Sequence, residues 1–315
     1  MVMAHTLVQL LRRQFDELHM AAPPATAALA ERMAEVHTVH THDFAHGELG
    51  LGRRRQTGLS LREEDYAACY VLPNSWKSAL VPLFANIPKR VGWLGEARYG
   101  LLNDRRQLDK EAYPLMIERF MALADSDEQL PEKPYPRPKL QVDGDNLARL
   151  LADLELGDKP AVAICPGAEF GAAKKWPAGH YAEVAKELMI RGHAVWLMGS
   201  PNDFDDCDRI AWAAPGVTNL AGKTKLLDAV DLISYCQQVI CNDSGLMHVA
   251  CALNVPTIGV FGSTSPGFTP PLGDKAQVVA RELDCRPCFQ RECPLGHLDC
   301  LRQLHPREVL AKLTI

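Results

Sequence analysis

Long apolar stretches are missing from this sequence. No run approaches the ~18 consecutive apolar residues of a membrane-spanning helix, and the first residues, Met1-Val-Met-Ala-His-Thr-Leu-Val, lack the cationic region and cleavage site of a signal peptide. A basic excess is also missing, because the formal net charge is −5. This negative net charge gives no reason to expect nucleic-acid binding. We therefore expect a cytoplasmic protein.

The common nucleotide-binding signatures are absent as well. Neither Gly-x-Gly-x-x-Gly nor a Walker-type loop occurs, and no internal repeat or low-complexity tract is visible. What is present is ordinary for a globular protein: 315 residues, 47% hydrophobic and 23% charged. That length suits two domains of about 150 residues each.

Short apolar strands alternate with helices in both halves of the chain, and this pattern predicts parallel sheets with helices on both faces. A polar, proline-rich segment between Gln129 and Gln141 predicts a linker. We therefore expect an α/β protein with two doubly wound, Rossmann-like domains, at residues 1–140 and 141–315. Their sheets would face a cleft, where such folds bind ligands at the carboxyl ends of the strands.

The stretch from Val239 to Leu253 predicts a buried strand, a tight turn and a helix. Its turn, Asp243-Ser-Gly245, delivers the chain to an open helix N-terminus, whose unpaired N–H groups and positive dipole end suit a phosphate or diphosphate. Gly245 would let that ligand approach the backbone. The alternative is that Asp and Ser only cap the helix.

Other loops of the second half also follow predicted strands. Residues 165–177 contain Lys174 and Lys175, whose cations suit a diphosphate or simply face solvent. Asp203, in Gly199-Ser-Pro-Asn-Asp203, could accept ribose hydroxyls or cap the next helix. No single loop is diagnostic, so the order and spacing of the loops are the signal.

That order is Pro166-Gly-Ala-Glu-Phe-Gly-Ala-Ala-Lys-Lys-Trp-Pro177, then Asn242-Asp-Ser-Gly-Leu-Met-His-Val-Ala250, then Gly262-Ser-Thr-Ser-Pro-Gly-Phe-Thr-Pro-Pro271. It closely resembles the ADP-heptose:lipopolysaccharide heptosyltransferases, most strongly their heptosyltransferase II branch. Tyr70-Val-Leu-Pro-Asn-Ser-Trp-Lys77 and Gly92-Trp-Leu-Gly-Glu-Ala-Arg-Tyr99 are similar to the same family. The resemblance therefore covers essentially the whole chain.

The resemblance implies a GT-B glycosyltransferase that moves heptose from ADP-heptose to an inner-core heptose of a lipid A precursor, with inversion and without an obligatory metal or cofactor. Lys174 would neutralise the leaving diphosphate, and Asp243 would cap the helix or hydrogen-bond a sugar hydroxyl. The implied donor-binding residues are Lys174, Asp203, Thr224, Asp243, Ser244, Gly245 and His248.

The resemblance assigns the lipid acceptor mainly to the first domain. Candidate residues for a phosphorylated acceptor sugar are Asn74, Ser75, Lys77, Arg98 and Tyr99, each of which could equally be an ordinary polar loop residue. Arg53-Arg-Arg55 could touch the anionic inner-membrane surface of a Gram-negative bacterium or simply face solvent. We expect a monomer at the cytoplasmic face of that membrane.

The sequence departs from the family at one point. Family members begin with a strand and a Gly-Asp loop, whose carboxylate is the proposed general base, whereas Met1 to Leu7 match what normally follows that Asp. We therefore expect the first strand and the base to be absent from this chain. The absence of the base favours an alternative function, a nucleotide-sugar-binding remnant that cannot activate an acceptor. A separate alternative is another GT-B-like enzyme that acts on a nucleotide sugar, such as an epimerase.

Four cysteines, Cys285, Cys288, Cys293 and Cys300, fall within one short segment, with His297 nearby. Cys-x2-Cys is metal-ligand spacing, but the second pair does not repeat it. A structural metal, a redox-labile disulfide and free thiols all remain open. The histidines at positions 37, 40, 42 and 46 are expected to be polar loop residues rather than a metal site.

Overall fold

The computed structural model describes residues 1–44, 47–125, 127 and 129–315. The chain divides into two compact units. The N-terminal unit comprises Thr6–Glu31 and Glu35–Pro136, and the C-terminal unit comprises Met1–His5, Arg32–Ala34 and Arg137–Ile315. Every strand pairing within them is parallel, as the alternating pattern predicts.

In the first part of the chain the regular elements are α1 (His5–Leu11), β1 (His19–Ala22), α2 (Pro24–Glu31), β2 (Thr38–Thr41), α3 (Leu51–Ser60), β3 (Ala68–Tyr70), α4 (Leu80–Phe84), β4 (Lys89–Trp93), β5 (Asp104–Arg106) and α5 (Met116–Met121). Short 3-10 helices occur at Val2–Ala4, Leu61–Glu64 and Trp76–Ala79. The described strands form one sheet of β1 and β2 and another of β3, β4 and β5. The missing first strand stays a prediction.

Two expected helices are shorter than the apolar pattern predicts. The first α-helix ends at Leu11 rather than near Phe15. The helix expected over 108–124 is confined to Met116–Met121. The Asp109 carboxylate accepts the N–H groups of Glu111 and Ala112 in a turn, and Pro114 restricts the residue before it.

Helix α3 is an element that the apolar pattern does not predict. Its sequence, Leu-Gly-Arg-Arg-Arg-Gln-Thr-Gly-Leu-Ser, is polar and contains two glycines. Gly58 lies so close to α4 that an added Cβ would come 2.5 Å from the Phe84 Cβ. The glycine is thus required for close helix packing, which overrides its low helix propensity.

The remaining elements, which belong to the C-terminal unit, are α6 (Gly144–Asp153), β6 (Ala161–Cys165), α7 (Ala178–Ile190), β7 (Ala194–Leu197), α8 (Phe204–Ala213), β8 (Thr218–Asn219), α9 (Leu226–Tyr235), β9 (Gln238–Asn242), α10 (Gly245–Ala252), β10 (Thr257–Phe261), β11 (Ala276–Ala280), α11 (Asp299–Arg302) and α12 (Pro306–Leu310). Two 3-10 helices, Ala172–Lys174 and Pro201–Asp203, lie in loops. The sequence pattern predicts strands at Ala161–Cys165 and Thr257–Phe261, and β6 and β10 have these bounds.

The six strands of this unit lie in the order β11-β10-β9-β6-β7-β8. From β6 the chain moves outward through β7 and β8, and it then returns to the other side of β6 through β9. The strand order therefore reverses between β6 and β9, and ligands of open parallel sheets bind outside the carboxyl ends at such a point. Cys165, the last residue of β6, pairs in register with Cys241, the residue before the last one of β9, so the two strands end within one residue of each other.

The core of the C-terminal unit lies between this sheet and its helices. Every residue of β6, β9 and β10 is buried, which explains their continuous apolar runs. A buried ion pair attaches the short segment Arg32–Ala34, because Arg32 Nη2 lies 2.8 Å from Oδ2 of the fully buried Asp231. Asp231 Oδ1 also accepts the Asp143 backbone N–H at 2.9 Å.

The helices in the described part of the chain fall short of the length and apolar character that crossing a bilayer requires.

Candidate functional site

Lys174 and Asp243 form an ion pair at the point where the strand order reverses. Lys174 ends the 3-10 helix in the loop after β6, and Asp243 directly follows β9. The Lys174 Nζ lies 2.7 Å from Asp243 Oδ2 and 3.2 Å from the Asp243 carbonyl oxygen. Both side chains are largely withdrawn from solvent. Two predicted site residues from different loops thus meet.

The Asp243 carboxylate also binds the loop that follows β10. The Thr264 hydroxyl donates to Oδ2 at 2.7 Å, and the Thr269 hydroxyl donates to Oδ1 at 3.4 Å. The prediction that Asp243 caps the next helix is wrong, because the N-cap residue of α10 is Ser244 and no side chain caps that end. Asp243 is instead the counter-ion of Lys174.

Helix α10 begins beside this pair. Space is open where a Cβ would project from Gly245, so the backbone there is approachable. His248 lies one turn into the helix, and burial lowers the pKa of its imidazole to about 4. Its Nδ1 is buried and finds no hydrogen-bond partner within the described chain. The helix start thus offers free N–H groups and a neutral imidazole.

Asn242, the last residue of β9, connects the end of β9 to the loop that follows β6. Its Oδ1 accepts the Trp176 backbone N–H at 3.1 Å and the Tyr181 hydroxyl at 2.9 Å, and its Nδ2 donates to the Pro166 carbonyl oxygen at 2.5 Å. The residue is fully buried. The sequence analysis missed this role, although a polar residue ending an apolar strand is a signal that could have pointed to it.

Asp203 and Thr224 belong to two loops that pack together. The Asp203 Oδ2 accepts the Ser200 backbone N–H at 2.9 Å and the Ser200 hydroxyl at 2.7 Å. The Gly222 N–H, two residues before Thr224, donates to the Gly199 carbonyl oxygen at 3.1 Å. The prediction that Asp203 caps the next helix is wrong, because Asp203 is the N-cap residue of α8 but its side chain makes no capping hydrogen bond there. Its carboxylate instead closes the preceding 3-10 turn through Ser200, and its role toward the ribose stays a prediction.

Lys175 is separate from the Lys174–Asp243 pair. Its Nζ lies 2.7 Å from Asp206 Oδ2 on α8, and both side chains retain partial exposure. Only one lysine of the predicted cationic pair therefore contacts the Asp243 carboxylate.

The predicted acceptor residues lie on loops after β3 and β4 of the N-terminal unit. Because these strands are adjacent and parallel, their loops emerge at one sheet edge. Asn74 accepts the Glu96 N–H through its carbonyl oxygen at 3.1 Å. The side chain of Lys77 donates to the Glu48 carbonyl oxygen at 3.1 Å. Tyr99 is 67% exposed and Ser75 is half-buried, so both remain accessible.

Arg98 differs from the other four, because its side chain is fully buried. Its guanidinium donates to the Pro73 carbonyl oxygen at 2.8 Å, to the Trp93 carbonyl oxygen, and to Asn74 Oδ1 at 3.4 Å. Burial lowers the pKa of this guanidinium. In this structure Arg98 positions the Asn74 loop.

The cysteine segment gives no ready-made metal centre. All ten cysteines are free thiols, and no group of three His, Cys, Asp or Glu residues in the described ranges is placed to hold a metal ion. His40 lies in β2 rather than in a loop, and its Nε2 is 2.8 Å from the Tyr66 hydroxyl. His46 lies outside the described residues.

Parallel strands and helices form both described units, and in the C-terminal unit the Lys174–Asp243 pair and the start of α10 lie where the strand order reverses. These features define an open parallel α/β protein with a candidate ligand site at the usual position of such folds. A sequence profile of glycosyltransferase family 9 (heptosyltransferase) matches residues 54–299. The chain belongs to this family.

Several named relatives are similar in sequence to this chain over most of its length. Lipopolysaccharide heptosyltransferase 2 of Escherichia coli K12 is 43% identical, covering 99% of this chain and 94% of its own. Lipooligosaccharide heptosyltransferase 2 of Haemophilus influenzae is 45% identical over 89% and 84%. The solved structure of E. coli ADP-heptose lps heptosyltransferase II superposes with a TM-score of 0.87, at 42% identity over 99% and 93%.

These matches confirm the GT-B fold and the assignment as a glycosyltransferase of the heptosyltransferase type. They do not favour the binding-remnant and epimerase alternatives. The individual roles of the site residues stay predictions.

Proposed function

We propose that this protein transfers L-glycero-D-manno-heptose from ADP-heptose to the first heptose of the lipopolysaccharide inner core, with inversion. The observation that carries the proposal is the Lys174–Asp243 pair beside the start of α10. The names of the relatives support the donor and acceptor classes, since they are lipopolysaccharide or lipooligosaccharide heptosyltransferases.

In this proposal the diphosphate of the donor lies at the start of α10. The free N–H groups there and the Lys174 ammonium would take up the negative charge that develops on ADP as its bond to the sugar breaks. Lys174 would exchange part of its contact with Asp243 for a phosphate oxygen. Asp243 would then keep the hydroxyls of Thr264 and Thr269 and would turn toward a sugar hydroxyl.

The other predicted donor residues surround this position in the proposal. His248 stays neutral near pH 7 because its pKa is about 4, so it would offer hydrogen bonds to the heptose without adding a charge. Ser244 and Gly245 would leave room for the phosphates. Asp203 and Thr224 would lie near the ribose and adenosine.

The reaction forms one bond and breaks one. The acceptor hydroxyl oxygen bonds to the anomeric carbon on the face opposite the leaving group, and the bond between that carbon and the ADP oxygen breaks. The hydroxyl proton leaves to a base, which the family resemblance assigns to a Gly-Asp segment; the residues of this sequence do not include that segment, so here the proton would pass to water. Stabilising the leaving ADP is the part of the reaction that the C-terminal unit would perform.

The acceptor would bind mainly to the N-terminal unit, in keeping with the proposed domain roles of residues 1–140 and 141–315. Asn74, Ser75, Lys77 and Tyr99 would meet the phosphorylated sugar, while Arg98 would hold the Asn74 loop. We further propose a monomer that needs no cofactor and works at the cytoplasmic face of the inner membrane, with Arg53 and Arg55 near anionic lipid. Arg54 of the same run is buried and donates to the Leu49 carbonyl oxygen at 2.7 Å, so the prediction that it faces lipid or solvent is wrong.

The test is mass-detected transfer from ADP-heptose to monoheptosyl-Kdo-lipid A. Replacing Lys174→Met should lower kcat about 10²–10³-fold, as expected for loss of one group that stabilises transition-state charge. The matched control is Lys175→Met, which removes an equal charge one residue away and should leave kcat within a few-fold.

Two results would contradict the proposal. Equal effects of the two lysine variants would mean that the Lys174–Asp243 pair has no special role. Transfer from UDP-sugars in preference to ADP-heptose would contradict the proposed donor.

A further inference from the structure

The proposed site for the donor diphosphate holds little net positive charge. Lys174 Nζ lies 2.7 Å from Asp243 Oδ2, so these two charges largely cancel. His248 adds none near pH 7, because burial lowers its pKa to about 4. A diphosphate is nevertheless a multiply charged anion, and charge-assisted hydrogen bonds to cations are its strongest contacts. A second cation close to Lys174 would supply the missing charge.

Arg291 lies against the same aromatic ring as Lys174. The Lys174 Nζ is 4.9 Å from the centroid of the Phe170 ring, and the Arg291 Cζ is 5.6 Å from that centroid. Both distances fall within the range, about 6 Å, at which a cation is attracted to a ring face. Arg291 is exposed, and none of the ion pairs in the described ranges includes it. Its charge is therefore available to a ligand.

The backbone of Arg291 is held against the loop that carries Lys174. The Ala173 N–H donates to the Arg291 carbonyl oxygen at 3.0 Å, and Ala173 directly precedes Lys174. Gly171 adopts a φ of 146°, and a Cβ at this residue would come 2.4 Å from the Arg291 carbonyl oxygen. Only glycine permits this approach. The position of Arg291 relative to the lysine loop is thus fixed by main-chain contacts.

A second contact ties the same segment, residues 289–291, to the loop after β10. The Phe289 N–H donates to the Ser263 carbonyl oxygen at 2.8 Å, and the rings of Phe289 and Phe268 meet edge to face with centroids 6.2 Å apart. That loop also carries the hydroxyl groups that donate to Asp243. Segment 289–291 therefore spans the two loops that meet at the ion pair, and it presents an exposed guanidinium from a fixed backbone.

The strand order relates Arg291 to one of the two phosphates. In the proposed function the adenosine lies near Asp203 and Thr224, in the loops after β7 and β8. Lys174 follows β6, and segment 289–291 contacts the loop after β10, on the opposite side of β6 from β7. A donor that extends along this edge from its adenosine passes Lys174 before it reaches Arg291. The phosphate nearer to Arg291 is then the β-phosphate, which is bonded to the sugar.

We propose that Arg291 is a second phosphate-binding residue of this site and that its guanidinium contacts the β-phosphate of the bound nucleotide sugar. This inference rests on the proposed function. A guanidinium presents paired N–H donors that match two phosphate oxygens, whereas the Lys174 ammonium acts as a point charge. Arg291 would turn from the Phe170 ring to the phosphate, because an exposed cation–ring contact is weaker than a hydrogen bond between charged groups.

Calorimetric titration of the full chain with ADP and with AMP tests the inference without turnover. Arg291→Met removes the charge and keeps an extended side chain. It should weaken ADP binding about tenfold and leave AMP binding within about twofold, because AMP lacks the β-phosphate. Arg291→Lys keeps a charge without the paired donors, so it should recover part of the ADP affinity.

The matched control is Arg191→Met. Arg191 is the C-cap residue of α7, and that end of the helix lies at the amino ends of the strands, away from the ligand edge. Its ion pair is with Glu187 of the same helix, at 2.9 Å. The control removes an equal charge from the far edge of the same sheet, where solvent and salt screen it, so both affinities should stay within about twofold of the wild type.

Three results would count against the inference. An unchanged ADP affinity of Arg291→Met would overturn it and leave the proposed function intact. An equal loss of ADP and AMP affinity would overturn it as well, because that pattern indicates a distorted loop rather than a lost phosphate contact. Wild-type protein that binds ADP no more tightly than AMP would contradict the donor site itself, and with it both proposals.

Discussion

Removing the side-chain amide of Asn242 should separate the two loops that carry Lys174 and Asp243. Asn242→Leu keeps the side-chain size but leaves three buried groups without their partner, namely the Trp176 N–H, the Tyr181 hydroxyl and the Pro166 carbonyl. Each unsatisfied buried group costs about 1–3 kcal/mol. The free energy of unfolding of the C-terminal unit should therefore fall by about 3 kcal/mol or more.

A second substitution at the same position tests the hydrogen bond that the Asn242 Nδ2 donates. Asn242→Asp retains an oxygen for Trp176 and Tyr181 but places a carboxylate oxygen against the Pro166 carbonyl oxygen. A buried, unpaired charge costs several kcal/mol, so this variant should be no more stable than Asn242→Leu. Both should raise KM for the donor, because the loop that carries Lys174 loses its anchor.

Urea unfolding followed by tryptophan fluorescence measures the stability change, since Trp176 lies at the contact. The matched control is Asn219→Leu in β8, which removes the local hydrogen bond that the Asn219 side chain accepts from the Ala221 N–H at 3.1 Å. That control should cost about 1 kcal/mol. A loss for Asn242→Leu no larger than the control's would refute the assignment of Asn242 as the link between the loops.

Three further predictions concern single side chains. Burial holds the pKa of His248 at about 4, below its ordinary 6.5, so the unfolded chain takes up the proton first as the pH falls. Between pH 7 and pH 5 the free energy of unfolding of the wild type should therefore fall by about 2 kcal/mol more than that of His248→Asn. Parallel pH profiles of the two proteins would contradict this. Arg98→Met should lower the stability of the N-terminal unit by about 3 kcal/mol, because the Pro73 and Trp93 carbonyl groups lose a charged donor, and a melting temperature close to wild type would be the opposing result. Lys175→Met should cost less than about 1 kcal/mol, because its partner is partly exposed; chemical denaturation decides, and a larger loss would show that the pair is stronger than its exposure suggests.

Sequence pattern predicts the C-terminal unit well because its strands are buried on both faces. The run 161–165 is entirely apolar and the run 257–261 is apolar after Thr257, and the structure has β6 and β10 at these residues. The loop order also identifies the family, since spacing between motifs survives where no single motif is diagnostic.

The sequence pattern does not predict those elements and contacts that depend on residues distant in the chain. Helix α3 is polar on most faces, and its glycines are explained only by the neighbouring α4. Similarly, no local rule predicts that Asp243 pairs with Lys174, because the two residues lie 69 positions apart and meet only through sheet order. The capping propensity of Asp favours a hydrogen bond from Asp243 to the start of the next helix. In the structure the Asp243 carboxylate instead pairs with the largely buried Lys174 ammonium.

The in-register pairing of β6 and β9 near their carboxyl ends has a consequence for how this protein tolerates change. Cys165 and Cys241 lie side by side, and the loops after β6 and β9 begin within one residue of them. Inserting one residue inside either strand would turn every following side chain to the opposite face and displace one loop against the other. Evolutionary variation in length should therefore accumulate beyond Pro166 and Asn242, while the strands themselves keep a fixed length.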